Sequence, residues 1–255
     1  MIELIRGWIE QLGKFTVFTM ESLAWVFRKP YRWGLIVNEI EFVGNQSLFI
    51  VGLTGIFTGA VFAFQIWLAF EMIGTDSLVV GMMSLSLIRE LAPILTGIVV
   101  AGRAGAAMAA QIGIMRVSDQ IDALEVMAVE PKQYLVGPKI IASIIATPLL
   151  TALFGLIGTL GGYFIAVYVC NVDPGISIQK LLYYAAPWDF FHGIIKASIF
   201  GGLLGSIGCY KGYRATNGAA GVGKATNEAV VYAIVTILVS DYFLSVIVPA
   251  GNRGQ

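Results

Sequence analysis

The chain holds one histidine, His192, and two cysteines, Cys170 and Cys209. One histidine cannot build a histidine-based metal site within a single chain, and two cysteines are too few for a disulfide framework. Charge is scarce too. Asp, Glu, Lys and Arg make up 13% of the 255 residues, against about 25% in soluble domains, and the formal net charge is zero. No basic excess is there to hold a nucleic acid. No polar stretch is long enough for a soluble enzyme domain. Residues 1–30 lack an uninterrupted apolar core and a small-residue cleavage site, so they do not read as a signal peptide. What is abundant is apolar: 57% of residues are hydrophobic and the mean hydropathy is +0.81. The composition is that of an integral membrane protein.

Ile5, Trp8, Leu12 and Phe15 recur at helical spacing, with Glu3, Arg6, Glu10 and Lys14 between them. That pattern predicts an amphipathic helix lying in the membrane interface. Pro30 should end it, and Tyr31, Arg32 and Trp33 read as interface anchors. A short second helix over about 34–45 leads inward, so residues 1–47 form an N-terminal interfacial and elbow unit. Residues 48–70 carry no charge over 23 positions, enough to cross about 30 Å of hydrocarbon. Further spans are expected at about 77–101, 140–170, 190–210 and 229–250, giving a five-span unit over 48–250. Lys and Arg concentrate in the N-terminal segment, in 102–139 and in 211–228. All three fall on one side if the N-terminus is cytoplasmic, which puts the C-terminus outside. Small residues recur at intervals of four at Gly55 and Gly59, Gly158 and Gly162, and Gly201 and Gly205, as close helix packing requires. No internal repeat is visible. The expected fold is an all-α integral membrane protein with about five transmembrane helices, an N-terminal amphipathic interfacial helix and a short cytoplasmic coupling helix.

Four charged residues fall inside the spans: Arg89 and Glu90 in the second, Lys196 in the fourth and Asp241 in the fifth. Each costs about 2.5–3.5 kcal/mol at bilayer depth even on the mildest scale, and such groups mark pathways, pairs or binding sites. Adjacent Arg89 and Glu90 cannot share a helix face, so each needs its own partner. Lys196 and Asp241 are the candidates. Pro93 lacks an N–H and crowds the carbonyl of Arg89, so the helix should kink there. Arg89, Glu90, Pro93, Lys196 and Asp241 are therefore candidates for lining a substrate cavity or for an intramembrane polar network; buried structural ion pairs are the alternative.

Residues 117–129 read as a short amphipathic helix between two spans, with Ser118 as N-cap. Ile121, Leu124 and Met127 make an apolar stripe beside Asp119, Asp122 and Glu125. Such a helix can dock in a groove on a soluble partner. It could instead lie on the membrane surface, but its acidic side opposes an anionic leaflet. Gly218 to Ala225 nearly fits a phosphate-binding loop, yet Ala225 replaces the magnesium-binding hydroxyl and no strand precedes it. It reads as a turn, and any ATP hydrolysis then belongs to another chain. Asn45-Gln46-Ser47 fits the glycosylation pattern by chance, at the cytoplasmic end of a span.

The run Ser86 to Pro93, then Ala101-Gly102-Arg103-Ala104-Gly105-Ala106-Ala107, Gln120 to Met127 and Glu130-Pro131 resembles the MlaE (YrbE) family, as does Gly218 to Val231. These are permease subunits of ABC lipid transporters associated with MCE proteins. The resemblance spans about 35–250. It implies a homodimeric permease of the bacterial inner membrane and a cytoplasmic ABC ATPase docking on Asp119, Ile121, Asp122, Leu124, Glu125 and Met127. It also implies an MCE-domain protein on the periplasmic side and, in many members, a STAS-domain protein bound to the ATPase. The implied substrate is phospholipid, moved between inner and outer membranes or across a plastid envelope. This chain would have no catalytic site and no cofactor; ATP and magnesium would bind the partner. The family's usual Ala-Glu pair is Ala110-Gln111 here, so a contact needing a carboxylate at 111 is in question. Two rival readings are a secondary transporter with Glu90, Lys196 or Asp241 as a proton or ion relay, and a membrane scaffold for soluble proteins.

Overall fold

The computed structural model describes residues 2–26, 28–29, 31–185 and 187–247, without the side chains of residues 2–6 and 8. Pro30, Arg253 and the end of the fifth expected span, from residue 248 on, lie outside them. Every regular element among the described residues is a helix. Helix α1 (Ile2–Val26) is followed by α2 (Trp33–Glu71), α3 (Val79–Ser86), α4 (Ala92–Val100), α5 (Ala106–Val117) and α6 (Gln120–Val126). Then come α7 (Gly137–Tyr168), α8 (Pro174–Tyr184), α9 (Pro187–Tyr213) and α10 (Gly218–Ile247). Five helical runs, 33–71, 76–117, 132–168, 187–213 and 218–247, are long and apolar enough to cross a membrane. They alternate in direction, so α1, α6 and the α9–α10 turn share one end of the bundle and α8 caps the other.

Missing side chains set the tightest contacts. α2 and α7 run side by side through Gly59 and Gly158, where a Cβ on Gly59 would overlap the Gly158 carbonyl. α9 meets α7 at Gly201, whose Cβ would collide with the Ser143 carbonyl. With little apolar gain between helices in lipid, such close approach supplies the van der Waals contact that holds them. The core between the spans is apolar and buried, with Val51, Val100, Met108, Phe154, Phe200, Leu204 and Ile237 in one cluster.

The expected elbow helix and first span are one continuous helix of 39 residues. The polar triplet Asn45-Gln46-Ser47 is no break; it binds α5's approach. Arg103 Nε donates to Ser47 Oγ at 2.8 Å and its Nη atoms reach Gln46 Oε1 at 2.8 Å and the Phe42 carbonyl at 2.5 Å. The guanidinium also lies over the Phe42 ring, 5.0 Å from its centroid. The second run is not one regular α-helix. Leu87–Leu91 and Ala101–Gly105 are π-helical turns flanking α4. Pro93 sits in the first turn of α4. The wider turn just before it accommodates the ring and the carbonyl of Arg89 without a break.

Of the expected α1 stripe, Leu12 and Phe15 are described, and only Phe15 packs on the bundle. The side chains of Ile5 and Trp8 lie outside the described residues, and Leu12 is exposed. The buried positions are Phe18 and Ser22, with Phe15 packed alongside. Phe15 and Phe18 each stand 5.4 Å from the Tyr210 ring of α9. Ile9, Leu12, Val17 and Met20 stay exposed among Glu10, Lys14 and Glu21, the mixed surface of an interfacial helix. α10 starts at Gly218, eleven residues before the expected span, because the glycine-rich run is helical.

α6 spans seven residues, shorter than 117–129. Ser118 does not cap it; its hydroxyl donates to the Ile114 carbonyl at 2.8 Å and closes α5 instead. Asp119 and Ala128 bracket α6 in left-handed conformations, both with φ of 57°. At Ala128 the C-terminus closes by paired bonds, Val129 N–H to the Leu124 carbonyl at 2.9 Å and Ala128 N–H to Glu125 at 3.0 Å.

Candidate functional site

The charges inside the spans meet in one chain of contacts. On α9, Asp189, His192, Gly193 and Lys196 stand at i, i+3, i+4 and i+7, on one face, and are all buried. Gly193 lets α9 press onto the π turn: a Cβ there would meet the Ile88 carbonyl at 2.6 Å and the Pro93 ring at 3.6 Å. This brings Lys196 level with Glu90. Asp241 and Ser245, four apart on α10, close the other side.

Lys196 is saturated. Its ammonium donates to Glu90 Oε2 at 2.5 Å, Ser245 Oγ at 2.6 Å and Asp241 Oδ1 at 3.1 Å. Ser245 in turn donates to the Asp241 carbonyl at 2.9 Å. Three donors meet three acceptors, the geometry a buried ammonium needs if it is to offset its desolvation. Arg89 is held more loosely, 3.4 Å from Glu90 and 3.7 Å from Asp189. The series Asp189, Arg89, Glu90, Lys196, Asp241 thus alternates in sign across the bundle from α9 to α10. The structure brings together Arg89, Glu90, Lys196 and Asp241, and Arg89 Nε lies 3.4 Å from Glu90 Oε1. Pro93 stands against Gly193, apart from the charges. Asp189 and Ser245 were missed. Asp189 stood just outside the expected fourth span, and a serine in a span carries no hydropathy signal.

The α6 residues divide. Ile121 is fully buried, and with Leu124 it packs on Phe18, Ile112 and Leu135 of this same chain. Met127 is exposed, and so is Val126, which the stripe did not include. Asp119, Asp122 and Glu125 are also exposed. Asp122 pairs with Arg116 at 2.5 Å. The outward surface is therefore Val126 and Met127 beside acidic groups.

Gln111, itself exposed, reaches a second buried cation. Lys139, 3% exposed, donates to Glu39 Oε1 at 2.6 Å and to Gln111 Oε1 at 2.7 Å. Glu39 supplies the countercharge and the amide oxygen of Gln111 the second acceptor, so no carboxylate is needed at 111. Gly218 to Ala225 forms the first turns of α10, not a loop around a phosphate. Among the described residues no group of three or more His, Cys, Asp or Glu is placed to hold a metal ion.

Five apolar runs with a ladder of charges between them define a polytopic α-helical membrane protein. Residues 36–247 match the family described as Permease MlaE. The chain is 39% identical over 236 residues to a probable ABC transporter permease protein of Rickettsia bellii, covering 92% of this chain and 91% of that one. It is 34% identical over 215 residues to the intermembrane phospholipid transport system permease protein MlaE of Haemophilus influenzae, 84% of this chain and 82% of that one. To the chloroplastic protein TRIGALACTOSYLDIACYLGLYCEROL 1 of Arabidopsis thaliana it is 35% identical over 220 residues, 86% of this chain and 63% of that one. The chain belongs to the MlaE family of ABC transporter permeases.

Proposed function

We propose that this chain is the transmembrane subunit of an ABC transporter that moves phospholipid between the inner and outer membranes. The name of the Haemophilus relative supports the substrate. The carrying observation is the buried ladder around Lys196. Charges this costly in a span fit a site that handles a polar head within the membrane.

On this reading two copies pair and enclose a cavity that opens outward. Arg89, Glu90, Lys196 and Asp241 line or brace it, and Pro93 fixes the turn that carries two of them. The five-span unit over 48–250 forms the permease, preceded by the 1–47 segment. The N-terminus is cytoplasmic and the C-terminus periplasmic in the inner membrane, as the basic segments favour. A cytoplasmic ATPase binds ATP and magnesium, while this chain binds neither and catalyses nothing. The ATPase docks at α6. An MCE-domain protein sits on the periplasmic side, with a STAS-domain protein on the ATPase. Nucleotide-driven closure changes the cavity's affinity for lipid, since coupling requires that a ligand's affinity differ between two states.

The test is lipid transfer by the reconstituted complex with Glu90→Gln. Transfer falls while ATPase and permease still co-purify. Unchanged transfer would remove Glu90 from the substrate path.

A further inference from the structure

At the end of the bundle that carries α1 and α6, the α9–α10 turn closes a polar pocket of about 300 Å³. Gln11 of α1, Tyr210 of α9, Thr216 of the turn and Gly221 of α10 stand in its wall. Only glycine fits at 221, because a Cβ there would overlap the Thr216 carbonyl. The turn is thus folded tightly onto the first turn of α10. The charges in the wall are Lys211, Arg214, Lys224 and Glu228, three cations to one carboxylate. Lys211 takes the carboxylate, 2.8 Å from Glu228 Oε2, and lies 3.9 Å from the centroid of the Tyr232 ring. Lys224 is left 3.9 Å from Glu228 Oε1, with its side chain 79% exposed. That is beyond the roughly 2.7–2.9 Å of a formed charge-assisted bond. Arg214 donates one Nη to the Tyr210 hydroxyl at 2.7 Å, and no carboxylate among the described residues pairs with it. Two cations of the pocket are therefore unmatched.

Tyr210 and Arg214 also line a separate cavity of about 700 Å³ between α1 and α9, walled by Val17, Phe18 and Tyr213. Its other charges are paired, Lys14 with Glu10 at 2.6 Å and Lys132 with Glu21 at 2.5 Å. Arg214 is the unmatched charge that the two walls share. The surroundings are those of a membrane interface. α1 holds Ile9, Leu12, Val17 and Met20 exposed among its charges, and the tyrosines at 210 and 213 lie alongside. Unmatched cations at that depth face the head groups of the bilayer. A guanidinium with free donors beside an ammonium is the pairing that takes a phosphate.

We propose that the pocket between α1 and the α9–α10 turn binds the phosphate of an anionic phospholipid, drawn from the leaflet in which α1 lies. The phosphate meets Arg214 and Lys224, and the lipid is held there rather than transported. The inference goes beyond the transport reading and does not rest on it. An acidic segment of a soluble protein would match the same cations. The exposed apolar residues of α1 put membrane beside the pocket instead, and so favour the lipid.

The full chain, in phosphatidylcholine nanodiscs without ATPase, is irradiated with phosphatidylglycerol carrying a photoreactive group on its head, or with phosphatidylcholine carrying the same group. Labelled positions are read by mass spectrometry. The anionic lipid labels residues 210–224 several-fold more than the zwitterionic lipid does, and several-fold more than it labels the exposed basic pair Arg28 and Lys29. Arg214→Gln with Lys224→Gln brings the ratio of the two lipids near one. Thr216→Glu does the same with both cations in place, by setting a carboxylate in the wall. Arg28→Gln with Lys29→Gln leaves the ratio unchanged. Equal labelling of the pocket and the Arg28–Lys29 pair would mean a general pull of basic residues on the leaflet and would overturn the proposal. So would a wild-type ratio near one, or a ratio that survives in both pocket variants. Inorganic phosphate in millimolar excess leaves the labelling in place; displacement by it would make this a site for the free anion and overturn the lipid assignment. Labelling lost on adding the cognate ATPase would give the pocket to that protein and likewise overturn it.

Discussion

Replacing Lys196 with methionine tests the ladder where it is most tightly made. The Lys196 side chain is 2% exposed and satisfies two carboxylates and a hydroxyl. Methionine fills nearly the same volume, so the loss is electrostatic. Glu90 and Asp241 would be left beside each other with Arg89 as the one remaining cation, 3.4 Å from Glu90. Removing one partner of a buried ion pair costs about 3–5 kcal/mol. For a chain of this size each kcal/mol moves the melting temperature by about 2–4 °C, so K196M should melt roughly 6–20 °C lower. The triple variant K196M/E90Q/D241N removes the charges together and should recover most of that loss, because replacing a whole buried ionic group is often neutral. Thermal unfolding in detergent, followed by tryptophan fluorescence, reads all three proteins. If K196M melts within about 2 °C of the parent, or the triple variant melts no higher than K196M, the ladder is not what satisfies these charges.

Three further outcomes are expected. Gly59→Ala should destabilise by about 1–3 kcal/mol, the cost of overpacking, since its Cβ meets the backbone of Gly158. Gly223→Ala, with nothing near its Cβ, should be neutral or stabilising by thermal unfolding; equal effects would refute the packing argument. Glu39→Gln leaves Lys139 buried without a countercharge and should lower the melting temperature, while adding Gln111→Glu restores one; no recovery in the double variant would contradict the account of position 111. Val126→Asp with Met127→Asp should abolish ATPase co-purification at unchanged stability, whereas Leu124→Asp should unfold the protein around α1. Retained ATPase binding in the first variant would remove α6 as the docking site.

The five spans were readable because long uncharged runs have few fates other than burial in lipid or core. Arg89, Glu90, Lys196 and Asp241 were readable for the same reason, as exceptions within those runs. What periodicity does not reveal is the partner of a buried face. The stripe of Ile121 and Leu124 marks burial correctly, but the burial is against α1 and α5, and the exposed apolar pair is Val126 and Met127. Polar triplets mislead in the same way. Asn45-Gln46-Ser47 looks like a boundary, yet the Gln46 and Ser47 side chains serve Arg103, which is 57 residues from Gln46. The π turns flanking α4 leave no signature in composition, and α8, lying across the end of the bundle, was not foreseen because its 11 residues are too few to read as a span.

The central claim is that this permease is driven from outside its own chain. Liposomes holding the purified protein alone, and liposomes holding it with its cognate ATPase, are compared for transfer of labelled phospholipid to an acceptor. Transfer only when ATPase and ATP are both present is the predicted result. Brisk transfer by the chain alone, indifferent to nucleotide, would contradict it.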